Sequence, residues 1–252
     1  MDDKIKKMTH AGKILGEVLE QVCQSVKPGI TEIELDELAE KLIVEKGGEP
    51  GFKKVPGYKH TICVSTNDVV VHGIPKKRVL KEGDIIGIDC GVYYEGYHTD
   101  MAETVVVGKT EDENVLDFLR IGKDALFSAI KEAKPHNRVG NVSKAMQEGV
   151  EGNGYSIVRT LVGHGVGKEL HEEPEIPGYL YGKIERTPLL KVGMTIAVEV
   201  IYNMGEKEVV YDGTDDWTIA TSDGSLSGLF ERSLLITESG PKLLTRFKSD
   251  PL

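Results

Sequence analysis

Cysteine is scarce in this 252-residue chain, and the three present, Cys23, Cys63 and Cys90, show no C-x-x-C spacing. That argues against a disulfide framework and fits reduced thiols in a cytoplasmic protein. Long apolar runs are also missing, since none approaches the roughly 20 residues that span a bilayer. The opening stretch, "MDDKIKKMTHAGKILGEVLEQV", alternates charge with apolar positions and lacks the unbroken apolar segment of a signal peptide. Positive charge is in deficit: 31 Lys and Arg against 41 Asp and Glu leave a net charge of −10. That argues against a nucleic-acid or anionic-membrane surface, which would need a basic stripe. The rest is ordinary for a globular protein, 39% hydrophobic and 29% charged, and long enough to bury a sizeable core. The surplus of acids has a use of its own, because clustered carboxylates hold cations or attract a protonated amine.

Apolar positions Ile5, Met8, Ile14, Leu15, Val18, Leu19 and Val22 keep a helical rhythm over 4–26, ended by Lys27-Pro28-Gly29. Thr31 and Glu34 make a capping-box pattern at the head of "TEIELDELAEKLIVEKGG", which closes on Gly47-Gly48. After a loop rich in Gly, Pro and Lys, "HTICVST" and "VVVHG" are short and β-branched and predict strands. Residues 84–107 form two β-rich runs around Glu95-Gly96, a hairpin signal. A further helix opens at Thr110 with Glu113, places Leu116, Leu119, Leu126 and Ile130 on one face, and stops at Pro135. A shorter one spans about 141–152, and "YSIVRTLV", "MTIAVEVIYN", "DWTIATS" and "GLFERSLLITES" predict strands. Helix, helix, strands thus occurs twice, which suggests two related halves without a fixed-period repeat. No Pro- or Ser-rich linker divides the chain, so one α+β domain over 1–252 is expected.

Four acids stand where acids are disfavoured. Asp89 lies between Ile88 and Cys90 in an apolar strand, and a buried carboxylate is costly unless something neutralises it. Asp100 follows on the returning strand, close to Asp89 once the hairpin folds, with the register left open. Two facing carboxylates need a shared proton or a cation. Glu199 in "GMTIAVEVIY" and Glu231 in "SGLFERSLLIT" repeat the anomaly. Singly, each has an ordinary explanation: a solvated loop position, a turn former, the polar face of a half-exposed strand, or a salt bridge such as one from Arg232. Together with His164 they make four carboxylates and one imidazole, a set suited to one or two divalent ions of the Mn, Fe, Co or Zn kind. A structural calcium site conflicts with the imidazole, since calcium prefers oxygen donors.

His164 sits in "GHGVGKELHEEP", which has a competing reading as a phosphate-cradling loop. The stretch departs from G-x-G-x-x-G, lacks a following Lys-Ser/Thr, and continues into His and acids that repel phosphate. Its glycines more readily let backbone approach a substrate and present His164 inward. His171 alone reads as a surface residue. His72 ends an apolar strand before Gly and Pro, a placement suited to lining a cleft, whereas His10, His60, His98 and His136 read as structural or exposed.

The ordered set "VVVHGIP", "GIDCGVYYEGYHTD", "GHGVGKELHEEPEIP", "GMTIAVEVIYNMG" and "SGLFERSLLIT" resembles the type I methionine aminopeptidases over about residues 5–246. The resemblance implies the pita-bread fold, two pseudo-symmetric halves around a central antiparallel sheet with helices outside. It implies Asp89, Asp100, His164, Glu199 and Glu231 as ligands of two divalent ions (Co, Mn, Fe or Zn), with Glu199 also handling protons. By the same resemblance His72 and His171 contact the substrate, and Tyr58, Cys63, Leu170 and Trp217 surround a methionine side chain, a chemically sensible lining. The implied substrate is a peptide with an N-terminal Met, and the implied protein is a cytoplasmic monomer, with a ribosome contact left open. Three positions depart from the family: Val200 stands where proline is usual, Arg232 where histidine is common, and Leu170 where an aromatic is frequent. The nearest rival is an Xaa-Pro dipeptidase or aminopeptidase P, whose members generally add an N-terminal domain. A rival from another class is a peptide-binding pita-bread protein without activity, and such proteins typically lose ligands.

Overall fold

The computed structural model describes residues 2–213 and 215–251. Helices α1 (Asp2–Ser25) and α2 (Glu32–Glu45) precede strands β1 (Glu49–Pro50), β2 (Ile62–Thr66), β3 (Val69–Val71), β4 (Ile85–Tyr94) and β5 (Tyr97–Val106). The order then repeats with α3 (Glu113–Glu132), α4 (Val139–Glu151), β6 (Ser156–Ile157), β7 (Val162–Gly165), β8 (Glu172–Pro177) and β9 (Thr195–Asn203). The chain finishes through β10 (Val209–Tyr211), β11 (Ile219–Thr221), β12 (Ser227–Thr237) and β13 (Gly240–Leu243). No helix among the described residues is long and apolar enough to cross a membrane.

Local chemistry explains the best-defined boundaries. The Thr31 hydroxyl accepts from Glu34 N–H while the Glu34 carboxylate accepts from Thr31 N–H, the reciprocal box expected at the head of α2. In the β4–β5 hairpin, Glu95 and Gly96 both take positive φ, 44° and 94°, as a two-residue primed turn requires. That turn sets Tyr94 opposite Tyr97 and every pair beyond it.

The main sheet runs β1-β4-β5-β12-β9-β7-β8, with β2 added on β4, β6 on β9 and β13 on β12. Its order is nearly palindromic, since β5 and β12 meet at the centre and β4 and β9 flank them. Alternation along each strand sorts side chains between two faces. Ile86, Ile88, Cys90 and Val92 of β4 pack with Leu15, Leu19, Leu35 and Ile43 of α1 and α2 in one core. Ile196, Val198, Val200 and Tyr202 of β9 pack with Phe118, Leu126, Ile130 and Met146 of α3 and α4 in another. Each half thus has its own core beneath its own helix pair. The opposite face is covered in part by a small sheet, β10-β11-β3, which packs Val70, Val71 and Ile219 on Ala102, Ile201 and Leu229. What that small sheet leaves uncovered is where the acids stand.

Three expectations need correction. The cap of α3 is Asp112, whose carboxylate accepts from Asn114 N–H; Thr110 lies outside the helix and its hydroxyl accepts from Asp112 N–H. Leu116 is 49% exposed, because the buried stripe of α3 runs through Val115, Phe118, Gly122, Leu126 and Ile130 instead. "YSIVRTLV" is two strands, β6 and β7. Arg159 and Thr160 between them are exposed, and Arg159 reaches out to Glu151 and to the Tyr179 ring.

Candidate metal centre

Two adjacent rows of residues cross the open part of the sheet. In the first, Cys63 of β2 pairs with Asp89 of β4, Asp89 with Ala102 of β5, Ala102 with Glu231 of β12, and Glu231 with Glu199 of β9. In the second, Gly91 pairs with Asp100, Ser233 with Ala197, and Ala197 with His164 of β7. Asp100 and Ser233 are joined by two hydrogen bonds: Asp100 N–H donates to Ser233 Oγ at 2.9 Å, and the hydroxyl donates to Asp100 O at 2.8 Å. Asp89 and Asp100 are therefore not directly opposite, because the turn at 95–96 places Asp100 against Gly91. The places between acids hold Ala102, Ala197 and Ser233, side chains too small to fill the space. Gly91 is needed for another reason, since a Cβ there would lie 2.8 Å from the Phe52 ring.

Asp100, His164 and Glu231 offer ligand atoms that all lie within 4.8 Å of one another. These three are buried, while Asp89 and Glu199 keep an edge towards the cavity. Two buried oxygens, Asp89 Oδ1 and Glu231 Oε1, have no hydrogen-bond partner. His164 Nδ1 lies 2.9 Å from Gly165 O, and a carbonyl only accepts, so Nδ1 carries the proton and Nε2 keeps its lone pair. Burial is the main reason that the Asp100 carboxyl is pushed up to about 7 and Glu199 to about 8. Asp89 and Glu231 are raised further, by burial and then by the neighbouring carboxylates. Burial acts oppositely on His164, holding it down to about 4 and neutral. Unpartnered oxygens, crowded carboxylates and a neutral imidazole with a free Nε2 fit a divalent cation, which would satisfy all of them at once.

Every residue named from the sequence as a candidate ligand, substrate contact or pocket wall lines one cavity of about 130 Å³. His72 stands at the end of β3 with φ 56°, the left-handed region that side chains rarely adopt. His171 stacks edge-on against His164, ring centres 4.4 Å apart. Tyr58, Cys63 and Leu170 form a buried apolar cluster with Phe52, against which Val55, Ile74 and Trp217 pack. Phe52 and Val55 also line the cavity, and the sequence reading passes over them as part of a Gly-, Pro- and Lys-rich loop. The signal available for them is an apolar pair three apart, on the 3₁₀ turn Phe52–Lys54.

Two of the unusual positions face away from the cavity. Val200 lies in the core under α3 and α4. Arg232 is fully buried on the helix side, paired with Glu103 at 2.6 Å and Asp250 at 2.8 Å. It therefore makes no ion pair with the Glu231 carboxylate and offsets its burial only in small part, and of Glu231 only the backbone oxygen accepts from it.

Residues 6–238 match the model of metallopeptidase family M24. The chain is 42% identical over 248 residues to the methionine aminopeptidase of Clostridium perfringens, covering 98% of each. It is 44% identical over 239 residues to methionine aminopeptidase 1 of Bacillus subtilis, covering 95% of each. The crystal structure of methionine aminopeptidase from Thermotoga maritima has the same fold at a TM-score of 0.93 and 41% identity, over 98% of both chains. The prolidase of Pyrococcus furiosus shares the pita-bread architecture alone, at a TM-score of 0.79 and 24% identity, with this chain spanning 65% of it. With the sheet, the buried acids and these likenesses in agreement, the chain belongs to metallopeptidase family M24.

Proposed function

We propose that the protein removes the N-terminal methionine from nascent peptides and proteins by hydrolysis, with residues 1–252 acting as one catalytic unit. The observation that carries this reading is continuity: the row of acids runs straight into the apolar pocket, Cys63 being the cross-strand partner of Asp89. An apolar side chain seated beside Tyr58, Cys63 and Leu170 brings the peptide bond next to it towards the acids. Asp89, Asp100, His164, Glu199 and Glu231 would hold two divalent ions of the Co, Mn, Fe or Zn kind. Bound there, such ions polarise a carbonyl and lower the pKa of a water.

The chain's own groups do the rest. Glu199, raised to about 8 in the metal-free protein, is placed to accept a proton from the attacking water at a carboxylate oxygen and return it to the leaving amine. His72 and His171 are lowered by burial, so each is a neutral imidazole that donates one N–H to the developing oxyanion. The acids attract the free α-amine of the substrate, which favours removal of terminal residues over internal cleavage. A small second residue is the expected preference, since a closed cleft leaves little room beyond the scissile bond. One chain supplies every candidate ligand, and the cysteines are unpaired, in keeping with a monomer in the cytoplasm.

The test is to strip the purified protein with chelator, resupply Mn, Fe or Co, and offer Met-Ala-Ser, Ala-Pro and Leu-Ala. Free methionine from the first peptide is the expected result. Its absence with every metal overturns the reading, and release only of the residue before proline assigns the protein to the rival peptidases. Full activity in Glu199→Ala removes the proton-transfer role.

A further inference from the structure

Trp217, the sole tryptophan of the chain, forms one wall at the apolar end of the cavity. Its ring meets Tyr58 edge-on, 5.2 Å between centres, and its Cζ2 lies 3.7 Å from where a Cβ on Gly57 would stand. Trp217 packs on the cluster of Phe52, Tyr58, Cys63 and Leu170 and stays partly exposed on the connection between β10 and β11. Where a partly exposed indole stands in such a wall depends on how its backbone is held.

Asp215 fixes it. Its Oδ1 accepts from the N–H of Trp217 at 2.9 Å and of Thr218 at 2.6 Å, and its Oδ2 accepts from the Thr218 hydroxyl at 2.8 Å. Lys76 Nζ lies 3.4 Å from Oδ2. The same Thr218 hydroxyl oxygen accepts from Ile74 N–H at 3.4 Å, and Ile74 packs against the same apolar cluster. One carboxylate thus ties the pocket wall Trp217 to Ile74, which backs the same apolar cluster from a distant part of the chain. Burial opposes its ionisation, but the Thr218 and Trp217 donors outweigh it and hold the carboxyl at about 2.

We propose that Asp215 is a positioning residue for the side-chain pocket: by locking Trp217 and Ile74 it sets how tightly the enzyme grips the apolar residue ahead of the scissile bond. Asp215 is not among the residues lining the cavity and acts through Trp217. The inference rests on the peptidase reading above and adds to it a determinant of substrate affinity.

The test compares Asp215→Ala, Asp215→Asn and Thr218→Val in the metal-loaded enzyme, reading KM, kcat and the emission of Trp217. Asparagine keeps a carbonyl oxygen for the two backbone donors, including Trp217 N–H, while its amide group gives up the charge and the acceptor that Oδ2 offers Thr218 and Lys76. Asp215→Ala should raise KM for Met-Ala-Ser about tenfold, in the range that fit in an apolar pocket commands, with kcat changed much less. Its emission should move to the red as the indole loosens, and Asp215→Asn should recover most of both effects. Wild-type KM and emission in Asp215→Ala overturn the proposal, and so does an Asn variant as impaired as Ala. If Asp215→Ala does not fold, Thr218→Val decides, since it should raise KM and shift emission in the same direction; unchanged values overturn the proposal. Should the wild type itself release no methionine, the peptidase reading falls, while the emission comparison still decides whether Asp215 holds Trp217.

Discussion

Glu231 and Glu199 stand directly opposite each other on β12 and β9, two carboxylates in one antiparallel pair. Burial first, and then neighbouring carboxylates (Asp100 for both, Glu199 and Asp89 also for Glu231), raise both acids above the usual carboxylate range. The metal-free protein therefore carries a strain that a cation relieves. Glu231→Gln should make the metal-free form more stable by roughly 1 kcal/mol and abolish the stabilisation that Mn gives the wild type. Thermal melts with chelator and with metal check both; a variant that still gains the full metal-induced shift contradicts the ligand role.

The pH dependence of the metal-free protein has a defined sign. Asp100 at about 7 and Glu199 at about 8 exceed their ordinary values of 3.8 and 4.5, so the native state holds more protons than the unfolded one between those limits. Stability then falls as pH rises. His98 and His164, held down to about 4 against an ordinary 6.5, work oppositely below that ordinary value. From about pH 6.5 to 8.5 the carboxylates set the slope, and urea midpoints in chelator should decline. Mn should remove most of the decline, because a cation holds the same oxygens ionised. Midpoints that climb over this range without metal would refute the account.

Ala102 occupies the place between Asp89 and Glu231. Ala102→Val should cost about 1–3 kcal/mol by overpacking and weaken metal binding further than that loss explains. Calorimetric titration of chelated protein with Mn, alongside urea melts, separates the two. Unaltered affinity would show that the space above Ala102 is not used.

Arg232→Met should destabilise by about 3–5 kcal/mol, since it leaves Glu103 and Asp250 buried without their partner. Lys123, which pairs with Glu103 and reaches Asp250 at 3.8 Å, compensates only in part. Urea melts are the measure, and a change below about 1 kcal/mol would mean that the cluster is not held as a charged unit.

The candidate ligands are legible in the sequence because an acid inside an apolar strand is an anomaly that asks for a neutralising partner, as Asp89 between Ile88 and Cys90 does. Alternation also places Arg232, next to Glu231, on the other face of the sheet, out of reach of an ion pair with it. Register across the centre is not legible. Asp100 and Ser233 lie far apart in the chain, and only the closed sheet brings them together. Phe52 and Val55 escape notice for a different reason, since apolar residues in a polar loop look like any other partly buried pair. Asp215 escapes notice too, because its work is done through neighbouring amides that no side-chain pattern announces.

Because one residue of β9 faces oil and the next faces acid, the strand tolerates exchanges of letter far better than changes of length. Deleting a single residue inside Thr195–Asn203 would turn Glu199 towards Phe118 and Met146 and bring valines to the acids, with no intermediate arrangement to soften the change. The same holds for β4, β5 and β12, so connections such as 204–208 and 178–194 should accept an added or deleted residue where these strands do not. The strands that carry the candidate ligands are in this sense rulers of fixed length, and the freedom to vary length lies in the segments between them.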